Sequence, residues 1–232
     1  NTGTVNLNSS LRLYYTDGAD SGDYVLADGK YLFVEAGSRT FESGTNISLA
    51  AGAASGQLWI NNAPVTIADG VVLDSNLLLR VQGNTTTYNS TNNLPLLQVQ
   101  SGTFSASNDI SVGTLTWSGG TITGAGKLTT TGTSTLSGYI TLTDKVWENT
   151  GTVNLTGRLY LQDPVQATPE TAVFTNQSSG IVNVNSTDAY PIYASYNYAP
   201  AFNNYGTLNW NGSPSNADFS RIYNVTFDNT GT

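Results

Sequence analysis

Apolar and polar residues alternate over short stretches of this chain, and the stretches recur. In Gly151-Thr-Val-Asn-Leu-Thr-Gly157, Val153 and Leu155 fall on one side while Thr152, Asn154 and Thr156 fall on the other. That is the period of a half-buried strand, not of a helix. The same phrase begins at Gly113 and at Gly132, so three copies start 19 residues apart. Looser copies start at Gly3, Gly102, Gly180 and Gly206. Residues 58–60, 77–81, 139–142 and 158–161 are further alternating runs, and Asp-Gly or Asn-Gly pairs at 17, 28, 69 and 211 supply turn signals between strands.

A strand of five or six residues cannot bury its apolar face alone. A fixed period near 20 residues makes each copy one turn of a coil, with equivalent strands stacked in parallel about 4.8 Å apart. The pattern therefore predicts an all-β, single-chain parallel β-helix (β-solenoid). Leu115, Val153, Val182 and Leu208 should form one column of core, glycines should mark the corners, and outward Thr and Asn should form ladders. A β-sandwich of hairpins is the competing all-β arrangement; the equal 19-residue steps select the coil.

The repeat joins residues 1–232 into one domain of roughly nine to eleven turns, about 50 Å long at the strand spacing. After Leu155 the glycine steps widen to 29, 26 and 25 residues, and the excess length is expected in corner loops, residues 163–171 and 188–203. Residues 17–35 also read as an insertion, a hairpin leaning on the coil. The phrase is hardest to find between residues 46 and 100.

Composition narrows the chemistry. The chain has neither Cys nor His, which removes thiolate and imidazole metal sites and the usual catalytic triads. Sixteen acids against eight bases, with charged residues at only 10 %, leave no basic stripe for nucleic acid. No apolar run has the length of a membrane-spanning helix. The five arginines are scattered in sequence, and no catalytic residue is expected.

Two segments carry candidate contacts. Asp17, Asp20 and Asp23 alternate with glycines; their oxygens suit a hard cation such as calcium, although the spacing fits neither of the usual calcium loops and a solvated turn needs no ion. No other cofactor is implied. Tyr190, Tyr193, Tyr196, Tyr198 and Tyr205 crowd five of the 13 tyrosines into 16 residues. Tyrosine suits stacking on sugars or docking a protein, and it equally suits sealing a loop against the coil wall. Trp117 and Trp210 occupy the place of Leu155 in the phrase and are assigned to the core.

Residues 113–128, the phrase Glu148-Asn-Thr-Gly-Thr-Val-Asn-Leu155, and Phe202-Asn-Asn-Tyr-Gly-Thr-Leu-Asn-Trp-Asn-Gly212 resemble repeats of bacterial surface and secreted proteins of the filamentous-haemagglutinin and autotransporter-adhesin type. The resemblance covers 102–157 and 202–212. It implies a right-handed parallel β-helix, an extracellular or cell-surface place, and no catalytic site. The expectation is thus a structural, adhesive section of a bacterial adhesin, fibre or matrix component. Its partners would be flanking repeats or further copies end to end, and glycans or a host or neighbouring cell surface. Carbohydrate binding or polysaccharide processing on the flank of the coil is the alternative.

Overall fold

The computed structural model describes residues 1–162, 172–195, 200–214 and 219–232. Among these the chain has no helix and every paired strand is parallel to its neighbours: a parallel β-helix. The strands lie on three faces of the coil. The first face opens with Val5–Leu7, Tyr24–Leu26, Asn46–Leu49 and Val72–Leu73. The second is continuous from Leu11–Tyr14 through Gly56–Asn61 and Leu77–Gln82 to Thr207–Trp210. The third runs from Gly18–Asp20 to Ile222–Tyr223. The eight-residue strand Ile110–Trp117 bridges the first two faces: its start pairs with Leu128–Thr130 and its end with Thr133–Leu136.

The expected core column is present in register. Leu115 pairs with Ser134, Ser134 with Val153, Val153 with Val182 and Val182 with Leu208. Two residues along, Trp117, Leu136, Leu155, Val184 and Trp210 form a second column. Trp117 is fully buried and Trp210 packs partly buried against the core. A third inward column, on the first face, is aromatic: Trp147, Phe174, Phe202 and Phe227 follow one another with ring centroids 4.5, 5.1 and 5.3 Å apart.

Glycines do mark the corner between the first and second faces. A Cβ on Gly132 would lie 2.4 Å from the Gly113 carbonyl oxygen, one on Gly151 would lie 2.1 Å from that of Gly132, and one on Gly206 would lie 2.3 Å from that of Gly180. None of these glycines has a positive φ; what excludes a side chain is the close approach of the coil below. The constant 19-residue step is the length needed to return to that corner, and after the later steps of 29 and 26 residues the strands beyond the corner are still in register.

Outward Thr and Asn stack as expected: Asn183 donates to Asn154 at 2.9 Å and Asn209 to Asn183 at 2.8 Å. A second amide ladder is buried up to its last member, Asn229, which is exposed. Asn149 donates to Asn176 at 2.8 Å, Asn176 to Asn204 at 2.7 Å and Asn204 to Asn229 at 2.6 Å, just before the glycine corner.

Residues 17–35 differ from expectation. Gly18–Asp20, Tyr24–Leu26 and Lys30–Glu35 are ordinary strands, one on each face, paired in parallel with the next coil. The segment is one coil of the helix and not a hairpin. Longer strands and larger aromatic residues hide the phrase there, while the three-faced path is the same. Of residues 188–203, Ile192–Tyr193 is a third-face strand and Ala201–Asn204 opens inside the span on the first face; 196–199 lie outside the described residues, as do the expected loop at 163–171 and residues 215–218.

Candidate functional site

One outward column of the third face changes character along the coil. It reads Thr85, Thr103, Thr121, Thr141 and then Tyr160, Tyr193 and Tyr223, each paired with the next. β-Branched threonine fits the pleat, and tyrosine replaces it where the coils lengthen. Tyr160 and Tyr193 stack with centroids 4.6 Å apart and planes 18° from parallel. The Tyr160 hydroxyl donates to Ser195 Oγ at 2.6 Å. Tyr190 meets Tyr223 edge to face at 5.2 Å.

Two arginines lock this wall. The Arg158 guanidinium lies 4.9 Å from the Tyr139 ring centroid and 5.0 Å from that of Tyr193, inside cation–π range. Its Nη2 donates to both Asp188 carboxylate oxygens, at 2.6 and 2.5 Å. Burial alone would lower the Arg158 pKa, but the Asp188 hydrogen bond and charge outweigh it and raise it. Asp188 in turn accepts the Tyr190 backbone N–H at 2.8 Å. Arg221 lies 5.5 Å from the Tyr190 ring and donates to its hydroxyl at 3.1 Å. Beside this pair a surface cleft of about 270 Å³ opens over Gly138 and Gly157, between Tyr139 and the 186–188 turn.

The tyrosines singled out in the sequence therefore separate. Tyr190 and Tyr193 join the third-face wall. Tyr205, 42 % exposed, sits beside Gly206 at the corner of the first and second faces and belongs to no common site with them. Tyr196 and Tyr198 lie outside the described residues. Sequence reading missed Tyr139, Arg158, Tyr160, Asp188, Arg221 and Tyr223. The signal was present, since Arg158 follows Tyr139 by the same 19 residues that separate the glycines.

Asp17, Asp20 and Asp23 do not converge. Asp17 accepts the Ser38 backbone N–H at 2.5 Å and its hydroxyl at 2.9 Å; these bonds hold its carboxyl below the usual pKa. Asp23 accepts the backbone N–H and side-chain amide of Asn46, at 3.1 and 2.9 Å. Asp20 is buried, paired with Arg39 Nη1 at 2.5 Å and hydrogen-bonded by the Tyr24 hydroxyl at 3.0 Å. Burial pushes its pKa up, but the bonds from Arg39, the Asn1 amine and Tyr24 win and lower it. Among the described residues no three His, Cys, Asp or Glu side chains group as a metal site. The solvated-turn reading also fails for Asp20. These acids latch one coil to the next, as Asp28 does with Ala54 and Ser55, and Asp109 with Lys127.

A second aromatic strip lies on the second face, where Phe33 and Trp59 are 4.5 Å apart and Arg80 caps Trp59 at 3.9 Å. Together these features define a parallel β-helix with two aromatic–arginine strips on its flanks. Compared with protein-family models, with curated proteins and with solved structures, the chain matches none.

Proposed function

We propose that this chain is a rigid, non-enzymatic section of an extracellular bacterial protein: an adhesin, fibre or matrix component whose product is shape and stiffness. The observation that carries the reading is the parallel register of the second face, continuous from Leu11–Tyr14 to Thr207–Trp210, with acids and amides among the described residues bonded from coil to coil. Stiffness follows from the ladder. Each coil pairs its strands only with its neighbours, so length is gained by repeating one kind of contact.

End-to-end partners belong to the same proposal. The strand and amide ladders are translational, so flanking repeats or another copy can add a coil in register. Polar, weakly charged faces suit such a role outside a cell, where many copies stand side by side.

Antibodies raised against the folded chain test the placement. Labelling of intact source cells or their surrounding matrix is the expected outcome, and disruption of the gene should weaken attachment to surfaces. Labelling confined to permeabilised cells would contradict it.

A further inference from the structure

We propose that the cleft between Tyr139 and Asp188 is a saccharide-binding subsite that accepts one neutral pyranose ring. The inference rests on the reading of the coil as a scaffold that presents a contact surface, and it assigns that surface a ligand class.

The floor carries no side chains. Gly138 and Gly157 lie one above the other, and a Cβ on Gly157 would stand 2.1 Å from the Gly138 carbonyl oxygen. At these two positions the close approach of the coils keeps side chains out of the cleft. Tyr139, 69 % exposed, forms an aromatic wall along one side. An aromatic ring offers a flat apolar face to the C–H side of a sugar.

Thr156, whose hydroxyl is bonded to the Leu136 carbonyl, and Thr187 also line the cleft, as do both members of the Arg158–Asp188 pair. Asp188 takes the Nη2 donors of the guanidinium and Nε is buried, which leaves Nη1 as the donor group the pair presents. The pair thus offers donors and carboxylate lone pairs in fixed positions, which is what neighbouring sugar hydroxyls require. Arg158 is held in place from two sides, by the rings of Tyr139 and Tyr193 and by Asp188. A preorganised polar group loses little freedom on binding.

Charge selects within the sugars. The Arg158 charge is matched by Asp188, and the chain carries a formal net charge of −8. Uronic acids and sulfated sugars meet no unbalanced cation here, so the neutral class is favoured. The stacked Tyr160–Tyr193 pair lies one outward column away and can extend contact to a second ring of an oligosaccharide.

The full chain is titrated by NMR with glucose, galactose, mannose, N-acetylglucosamine, cellobiose and glucuronic acid, and displayed on a glycan array. The expected result is amide shifts at Gly157, Arg158, Thr187 and Asp188 with at least one neutral sugar. Tyr139→Ala, on an exposed side chain, should weaken that binding at least tenfold with the melting temperature nearly unchanged, and Tyr139→Phe should retain it. No shift with any sugar and an empty array would overturn the proposal, as would binding unchanged in Tyr139→Ala or binding of glucuronic acid alone. Antibody labelling of intact cells is independent of these outcomes, so a failed titration leaves the structural reading intact.

Discussion

At the scale of single residues, two buried titratable groups, Lys145 and Tyr24, set how stability responds to alkaline pH. Lys145 is almost wholly buried and reaches 39 residues back to the Ala106 carbonyl, at 2.6 Å. Burial drops its pKa to about 8, against a small opposing effect of Asp109. Between pH 8 and about 10.4 the unfolded chain holds a proton there that the folded chain has lost, so stability rises with pH. Tyr24 acts in reverse. Burial, then the charge and hydrogen bond of Asp20, raise its pKa to about 12, so stability falls as pH climbs from 10 to 12. Urea denaturation across this range should show a rise on the order of 2 kcal/mol between pH 8 and 10, followed by a fall. Lys145→Met should abolish the rise and spare the fall.

Asp20 governs the acid side. Its pKa is lowered in the fold, so its contribution is fully present above about pH 4 and is lost as pH drops through the folded value. Arg39→Ala leaves Asp20 buried without its main partner and should cost roughly 3–5 kcal/mol, measured as a fall in the denaturation midpoint at neutral pH. A spectator pair would show almost no change.

At the scale of the element, the two asparagine ladders look alike in sequence and differ in consequence. Asn176 is buried, donates to Asn204 and to the Gly180 carbonyl, and accepts from Asn149. Asn176→Ala strands polar groups above and below it and should cost about 2–4 kcal/mol. Asn183, on the outer ladder, is partly exposed and water can replace its partner, so Asn183→Ala should cost less than about 1 kcal/mol. Equal losses in thermal or urea denaturation would contradict the assignment of inner and outer faces. Gly151→Ala should destabilise by about 1–3 kcal/mol through collision with the Gly132 carbonyl, although φ at Gly151 would admit alanine.

Much of this was legible from strand period and glycine spacing. The alternation in Gly151 to Gly157 fixes which residues face inward, and the 19-residue step fixes which coil each belongs to. Leu115 and Val153 followed from those two facts, and Val182 and Leu208 joined their column through the glycines at 180 and 206 that open the same phrase. The buried ladder did not follow, because Asn149 and Asn176 look like turn residues beside a glycine. Only the pairing register puts them above one another. The coil at residues 17–35 was misread because Tyr31, Phe33 and Glu35 break the Thr-Asn composition of the phrase while keeping its geometry. The Arg158–Asp188 cleft was legible only in part: the 19-residue step sets Arg158 over Tyr139, but nothing in the sequence brings Asp188 to it. Arg158 and Asp188 are 30 apart in sequence, and one belongs to a lengthened coil where the period fails.

At the scale of the whole molecule, three faces of parallel strands stack into one column. Successive positions in any outward row should therefore advance by one strand spacing. The row Arg12, Phe33, Trp59, Arg80, Gln98, Thr116, Thr135, Asn154, Asn183 and Asn209 spans the described coils from near one end to the other. The lack of any native cysteine lets spin labels be placed in pairs without background. Arg12→Cys is combined in turn with Gln98→Cys, Thr135→Cys and Asn209→Cys, and electron–electron distances are measured. The backbone separations underlying them should be about 19, 29 and 43 Å, growing linearly with the number of coils crossed. A chain folded back on itself as two packed antiparallel sheets would place the Asn209 label no farther from Arg12 than the Gln98 label, and that ordering would contradict the coil.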